Sequence, residues 1–128
     1  MSLMMMLELD ELASKQMIRD ALILSGVDIC METDDRIDGN FPRSNMFVSF
    51  ESVKDGRLKA EDYSVDWLVG GKVVFAYVIS RFDECSAQLH DFLQTLSDAT
   101  QSKWVLSFQY ESVCAVRDDA GVQWLKKF

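Results

Sequence analysis

A chain of 128 residues, 48% of them hydrophobic, is long enough to bury one core, so we expect a single domain over residues 1–128 and exclude intrinsic disorder. The formal net charge of −8 opposes binding to nucleic acid and to anionic membranes, and no apolar run reaches the roughly 18 residues of a membrane span. Three widely separated cysteines without a C-x-x-C motif are typical of free thiols in the cytoplasm.

The first segment carries an apolar stripe at helical spacing. Acidic residues lie in its first turn, and Gly26 supplies a stop. The apolar residues recur at spacings of three and four and are Leu9, Leu12, Ala13, Met17, Ala21 and Leu24. The pattern predicts a helix over residues 7–25. We interpret residues 1–3 as vector-derived.

The next segments have the composition of strands and turns. Residues 27–32 and 46–50 are rich in strand formers, and the stretch between them contains the only proline. Gly70-Gly71 separates two further β-rich runs, residues 63–69 and 72–79. Because glycine supplies the positive φ of primed turns, this pattern predicts a two-residue hairpin.

A second amphipathic stripe predicts a helix over residues 83–98. Strands are then expected at 103–110 and in a hairpin around 118–121. The predicted order is α-β-β-β-β-α-β-β-β. It indicates an α+β fold with a mainly antiparallel sheet of about six to seven strands and two helices on one face. The predicted core is Leu9, Met17, Leu22, Val65, Val74, Val78, Leu89, Phe92, Leu96, Leu106 and Phe108.

No residue pattern indicates catalysis. His90 is the only histidine, and Cys85, five positions earlier, points about 140° away around a helix. The run from Asp34 to Gly39 resembles the start of a calcium loop, but Arg36 would occupy the third ligand position. We therefore predict no catalytic residue, no metal site and no cofactor, and we expect a protein that is not an enzyme.

The segment from Asp28 to Asp38 holds five carboxylates against one arginine, a local charge of −4. It is either a solvated loop or a face for a basic protein partner, since complementary charge accelerates association. Aromatic residues nearby would supply apolar anchors. The candidate partner-binding residues are Asp28, Glu32, Asp34, Asp35, Asp38 and Phe41, with Phe47 as a further anchor.

Size, acidity and the lack of a catalytic set favour a small, acidic, non-enzymatic protein-binding domain. The closest profile is that of bacterial immunity-type inhibitors, which neutralise a basic toxin; this is an analogy of composition. Two alternatives stay open. One is a secretion-chaperone-like dimer that binds an effector, and the other is a small-ligand-binding protein or enzyme that uses an aromatic face of the sheet around Phe75, Tyr77 and Tyr110.

Overall fold

One antiparallel sheet with two helices makes up the part of the chain that the computed structural model describes, residues 3–128. The elements in chain order are β1 (Leu3–Leu9), α1 (Lys15–Leu24), β2 (Asp28–Glu32), β3 (Arg36–Asn40), β4 (Phe47–Gly56), β5 (Val69–Tyr77), α2 (Phe82–Ala99), β6 (Trp104–Phe108), β7 (Ser112–Asp118) and β8 (Gly121–Trp124). The spatial order is β2-β3-β4-β5-β1-β6-β7-β8. The predicted α+β class is confirmed, with eight strands in place of six to seven. No helix within the described residues is long and apolar enough to cross a bilayer.

The start of the chain differs from the prediction, because a strand precedes a shorter helix. β1 lies between β5 and β6, and its alternate residues Met5, Leu7 and Leu9 are buried. Apolar methionines also occupy the other side of β1, which hides the period of two and is typical of a central strand. The helix begins only after Ser14, whose hydroxyl accepts the Met17 amide at 3.2 Å as an N-cap.

Gly70 and Gly71 do not form the predicted hairpin but lie inside β5. A Cβ on Gly70 would stand 2.6 Å from the Glu11 Cα atom, and one on Gly71 would stand 2.9 Å from the Phe50 ring. The two glycines therefore permit close packing across the strand rather than a reversal of the chain. The preceding residues, 57–68, form a loop and not the expected strand.

Both helices bury their apolar sides in one cluster with the same face of the sheet. On α1 the buried residues are Ile18, Ala21 and Leu22, so the predicted core residue Met17 is 38% exposed. Six predicted core residues are buried: Leu9, Leu22, Leu89, Phe92, Leu96 and Leu106. Four more are half-buried: Val65, Val74, Val78 and Phe108.

The face of the sheet opposite the helices, here called the open face, is covered at only one end. Residues 57–68, the cover loop, lie over β6 and β7, where Ala60 packs with Val105, Val113 and Val116. The Glu8 carboxylate accepts the backbone amides of Lys59 at 2.8 Å and of Ala60 at 3.2 Å. These bonds hold the cover loop on the sheet and leave the part of the open face over β4, β5 and β1 without a covering loop.

Candidate functional site

Five apolar side chains occupy this remaining part of the open face. In the strand register, Phe47 lies opposite Ala76, Ala76 lies opposite Met4, and Met6 lies opposite Val74. Phe47 is 40% exposed and Met4 is 38% exposed, while the other three are half-buried. We call Met4, Met6, Phe47, Val74 and Ala76 the uncovered patch. A contiguous apolar surface of this kind is a candidate interaction site.

The predicted acidic segment borders the uncovered patch, because it forms the two strands at that edge of the sheet. Asp28 on β2 pairs with Asn40 on β3, and Asn40 pairs with Phe47. Asp38 pairs with Ser49, the neighbour of Val74. We call residues 28–40 the acidic hairpin. Asp28 and Asp38 continue the cross-strand rows that contain the apolar side chains of the patch, whereas Asp34 and Asp35 lie in the turn beyond those rows.

Three of the predicted partner-binding residues are free at the surface. Asp28 lies on β2, and Asp34 and Asp35 lie in the turn between β2 and β3; all three are exposed. Their only side-chain partner within residues 3–128 is the Thr33 hydroxyl, which donates to Asp35 at 3.1 Å. These carboxylates carry negative charge that no cation of the described chain neutralises.

Glu32 forms salt bridges to helix α1 and is not a free charge. Its carboxylate binds the Lys15 amine at 2.7 Å and the Arg19 guanidinium at 3.0 Å, both on α1. Hydrogen bonds to these two cations hold the pKa of Glu32 below its usual value. Because β2 pairs only with β3 at the edge of the sheet, this contact joins the edge strand to the helix layer. The charge of Glu32 is thus already compensated on the helix side.

Asp38 is also partly engaged. It accepts the Ser49 hydroxyl at 2.6 Å and the Arg36 Nε at 3.1 Å, and it is half-buried. Next to it, the β2–β3 register shifts between Ile29 and Met31, a β-bulge. Asp38 therefore contributes a fixed polar group at the edge of the uncovered patch rather than a free charge.

Phe41, expected at a partner surface, is instead fully buried and lies 6.5 Å from the Phe75 ring. Its position continues the inward alternation of Ile37 and Gly39, both buried on β3. The exposed anchor is Phe47, the first residue of β4. The alternation of Ile37, Gly39 and Phe41 was the sequence signal that Phe41 is buried, whereas Phe47 is not part of that series.

The three aromatic residues proposed for a ligand face are not brought together. Phe75 and Tyr77 point into the helix-covered core, where Phe75 lies 5.5 Å from the Phe92 ring. Tyr110 lies in the turn after β6 with a φ of 67°. Burial raises the pKa of Tyr110, and the negative charges of nearby Glu8 and Glu51 raise it further.

Glu8 has the raised pKa that a general acid needs, but the cover loop occupies its oxygens. Burial raises the pKa of Glu8, against the lowering effects of the Lys59 and Ala60 amides and of the Lys59 and Lys72 charges. In the strand register Lys72 pairs with both Glu8 and Glu51. Because both Glu8 oxygens accept backbone amides, the group acts as a clamp for the cover loop.

His90 is likewise committed to packing. Its Nδ1 donates to the Ser86 carbonyl at 2.7 Å, since a carbonyl can only accept, and its ring stacks on Phe128 at 4.1 Å. Trp124 stacks on the same ring at 5.3 Å. Among residues 3–128, no group of three or more histidine, cysteine, aspartate and glutamate side chains is arranged to hold a metal ion.

Comparison of the chain with protein-family models, with curated proteins and with solved structures gives no significant match. Function is therefore inferred from the surface itself, which combines the uncovered patch with the free carboxylates of the acidic hairpin. Sequence reasoning found the carboxylates from charge density and named Phe47 as an anchor, but it missed the other four residues of the patch. The signal for the patch was the occurrence of apolar residues on both sides of β1 and β5.

Proposed function

We propose that this chain is a non-enzymatic protein-binding domain that binds a basic protein through the uncovered patch and the acidic hairpin beside it. The observation that carries the proposal is the adjacency of the two surfaces, with Phe47 in the same cross-strand row as Asp28. Protein interfaces combine an apolar centre, enriched in aromatic residues and methionine, with a polar rim. Phe47, Met4 and Met6 would supply the centre, and the free carboxylates would supply the rim.

Charge favours a basic partner over a second copy of this chain. Asp28, Asp34 and Asp35 are exposed without a compensating cation, and the chain carries a net charge of −8. Two copies joined through this surface would bring like charges together, whereas a basic protein would be attracted and oriented. A self-associating, chaperone-like dimer is therefore the alternative outcome to be tested.

The specific form that we propose is an immunity-type inhibitor that neutralises a basic toxin in the cytoplasm. A toxin that cleaves nucleic acid must hold phosphates in a basic cleft. The carboxylates of Asp34 and Asp35, at the tip of the acidic hairpin, would occupy such phosphate positions. The uncovered patch would then slow dissociation, because apolar contacts at the centre of an interface dominate its stability.

The test measures association and dissociation rates against a panel of basic nuclease toxin domains. We expect tight binding to at least one of them. Replacing Asp34 and Asp35 with lysine should slow association by about ten-fold at low salt, and the difference should shrink as salt shortens the screening length. Phe47→Ser should instead accelerate dissociation. Far-ultraviolet circular dichroism checks that each variant is folded.

The matched control replaces Asp91 and Asp98 with lysine, two exposed residues on α2, on the other side of the sheet. It makes the same change in net charge but should leave association almost unchanged. An equal slowing by both double variants would mean that only net charge matters, and failure of the whole panel to bind would reject the proposal. A wild-type dimer that Phe47→Ser converts to a monomer would favour the chaperone-like alternative.

A further inference from the structure

A pocket of about 250 Å³ lies on the helix side of the sheet, remote from the uncovered patch. Its floor consists of the buried residues Met5, Tyr77 and Cys114, and Leu3 and Phe82 form part of its more exposed rim. We propose that this pocket binds a small molecule with an apolar body and a carboxylate group. This proposal does not depend on the partner surface described above.

The roof of the pocket is held in place by specific contacts of residues 125–128. The Leu125 and Lys126 amides both donate to the Cys114 carbonyl, at 2.8 and 2.9 Å. The Ser86 hydroxyl donates to the Phe128 carbonyl, and the Phe128 ring stacks on His90. A roof fixed in this way makes the pocket largely preformed, as small-molecule sites usually are.

The charged side chains of the lining are both cations. Lys126 and Lys127 lie at the rim, and no aspartate or glutamate lines the pocket among the described residues. Lys126 is partly engaged, since its amine lies near Ser112 and 3.9 Å from Asp62, whereas Lys127 pairs with no carboxylate within residues 3–128. In a chain with a net charge of −8, this local positive charge favours an anionic ligand.

The pocket volume limits the size of that ligand. An apolar cavity of about 150 Å³ holds benzene, so a pocket of about 250 Å³ matches a somewhat larger apolar body. A body of about seven or eight carbon atoms therefore fits the apolar interior, with the carboxylate at the lysine rim. Octanoate has this composition.

A second observation at the pocket floor is the Tyr77 hydroxyl. Tyr77 is 3% exposed, and its hydroxyl has no hydrogen-bond partner of good geometry among the described residues, although Ser86 lies nearby. Burial raises the pKa of this phenol. A buried hydroxyl without a partner costs free energy, so a guest or an ordered water that reaches the floor would lower that cost.

The test titrates ¹⁵N-labelled protein with sodium octanoate and follows amide chemical shifts. We expect saturable shifts at the pocket residues and at 125–128, weaker binding of 1-octanol, and the weakest binding of octylamine. Lys127→Met should weaken octanoate binding by about three-fold, as expected for one exposed charge pair. The matched control is Lys54→Met, an exposed lysine on β4, which should not change the affinity.

Leu3→Trp provides a second variant, because it fills the rim while its position at the start of β1 leaves the centre of the strand intact. It should abolish the octanoate shifts and leave the remaining spectrum folded. The proposal is overturned if octanoate gives no saturable shifts, if octylamine binds as tightly, or if Lys127→Met behaves like Lys54→Met. None of these outcomes bears on the basic-partner proposal, because that surface lies on the opposite face of the sheet.

Discussion

The two ends of the open face both carry apolar side chains, but only one end is buried beneath a loop. At one end Val105, Val113 and Val116 are buried beneath the cover loop, and at the other end Phe47 and Val74 remain in contact with solvent. Both sets project from the same face of one sheet, although a register shift between β6 and β7 places Val113 and Val116 three positions apart on β7. The cover loop, held by the Glu8 carboxylate, therefore decides which apolar residues of this face are buried and which remain exposed.

The largest expected difference comes from placing a charge in each half. Val105→Asp should destabilise the fold by about 3 kcal/mol or more, since it buries an unpaired carboxylate under the cover loop. Val74→Asp, on a half-buried position of the open half, should cost only about 1 kcal/mol. Urea denaturation measures both. Equal losses would show that the uncovered patch is as protected in solution as the covered half, and would undermine its role as a docking surface.

An intermediate effect is expected when the cover loop loses its clamp. Glu8→Ala should destabilise the protein by about 1–3 kcal/mol, because it leaves the Lys59 and Ala60 amides without their acceptor. Amide hydrogen exchange of residues 57–68 should accelerate. Glu51→Ala, on an exposed residue of the same face, should change stability by only about 0.5 kcal/mol. Unchanged exchange in Glu8→Ala would show that apolar contacts alone retain the loop.

The smallest effect concerns the titration of Glu8. Its pKa in the folded protein lies above 4.5, so its contribution to stability is greatest below the unfolded value and is lost as pH rises through the folded value. Wild type should therefore gain stability relative to Glu8→Gln on acidification from neutral pH towards 4.5. Lys72→Met should raise the pKa of Glu8 further, measurable by carbon-13 NMR, because the Lys72 charge lowers it. A Glu8 pKa below 4.5 would contradict the burial of this carboxylate.

The elements predicted well are those specified by local sequence. The expected helix at 83–98 is α2, Phe82–Ala99, because its apolar stripe and acidic first turn are contained within it. The chain also reverses after Asp118 as expected, with Gly121 at a φ of 102°. By contrast, β1 is defined by pairing with β5 and β6, which are distant in sequence. Apolar residues on both of its sides hide the period of two, and only Leu9 of the predicted helical stripe lies in this strand.

The candidate site divides in the same way. Charge density alone predicted that Asp28, Asp34 and Asp35 are exposed. The pairing of Glu32 with α1 could not be predicted, since it depends on the helix crossing the edge strand. The exposure of the uncovered patch could not be predicted either, because it depends on how far the cover loop extends over the sheet.

The β-bulge of the acidic hairpin has a consequence for solubility. β2 is an outer strand of the sheet, where free backbone groups can recruit strands from other molecules and start aggregation. The shifted register between Ile29 and Met31 distorts that edge, and the uncompensated negative charges of Asp28 on β2 and of Asp34 and Asp35 in the adjoining turn repel an identical edge. Near pH 4.5, the isoelectric point of the chain, the repulsion weakens and only the distortion remains. Storage at neutral pH therefore protects the protein against growth of intermolecular sheet.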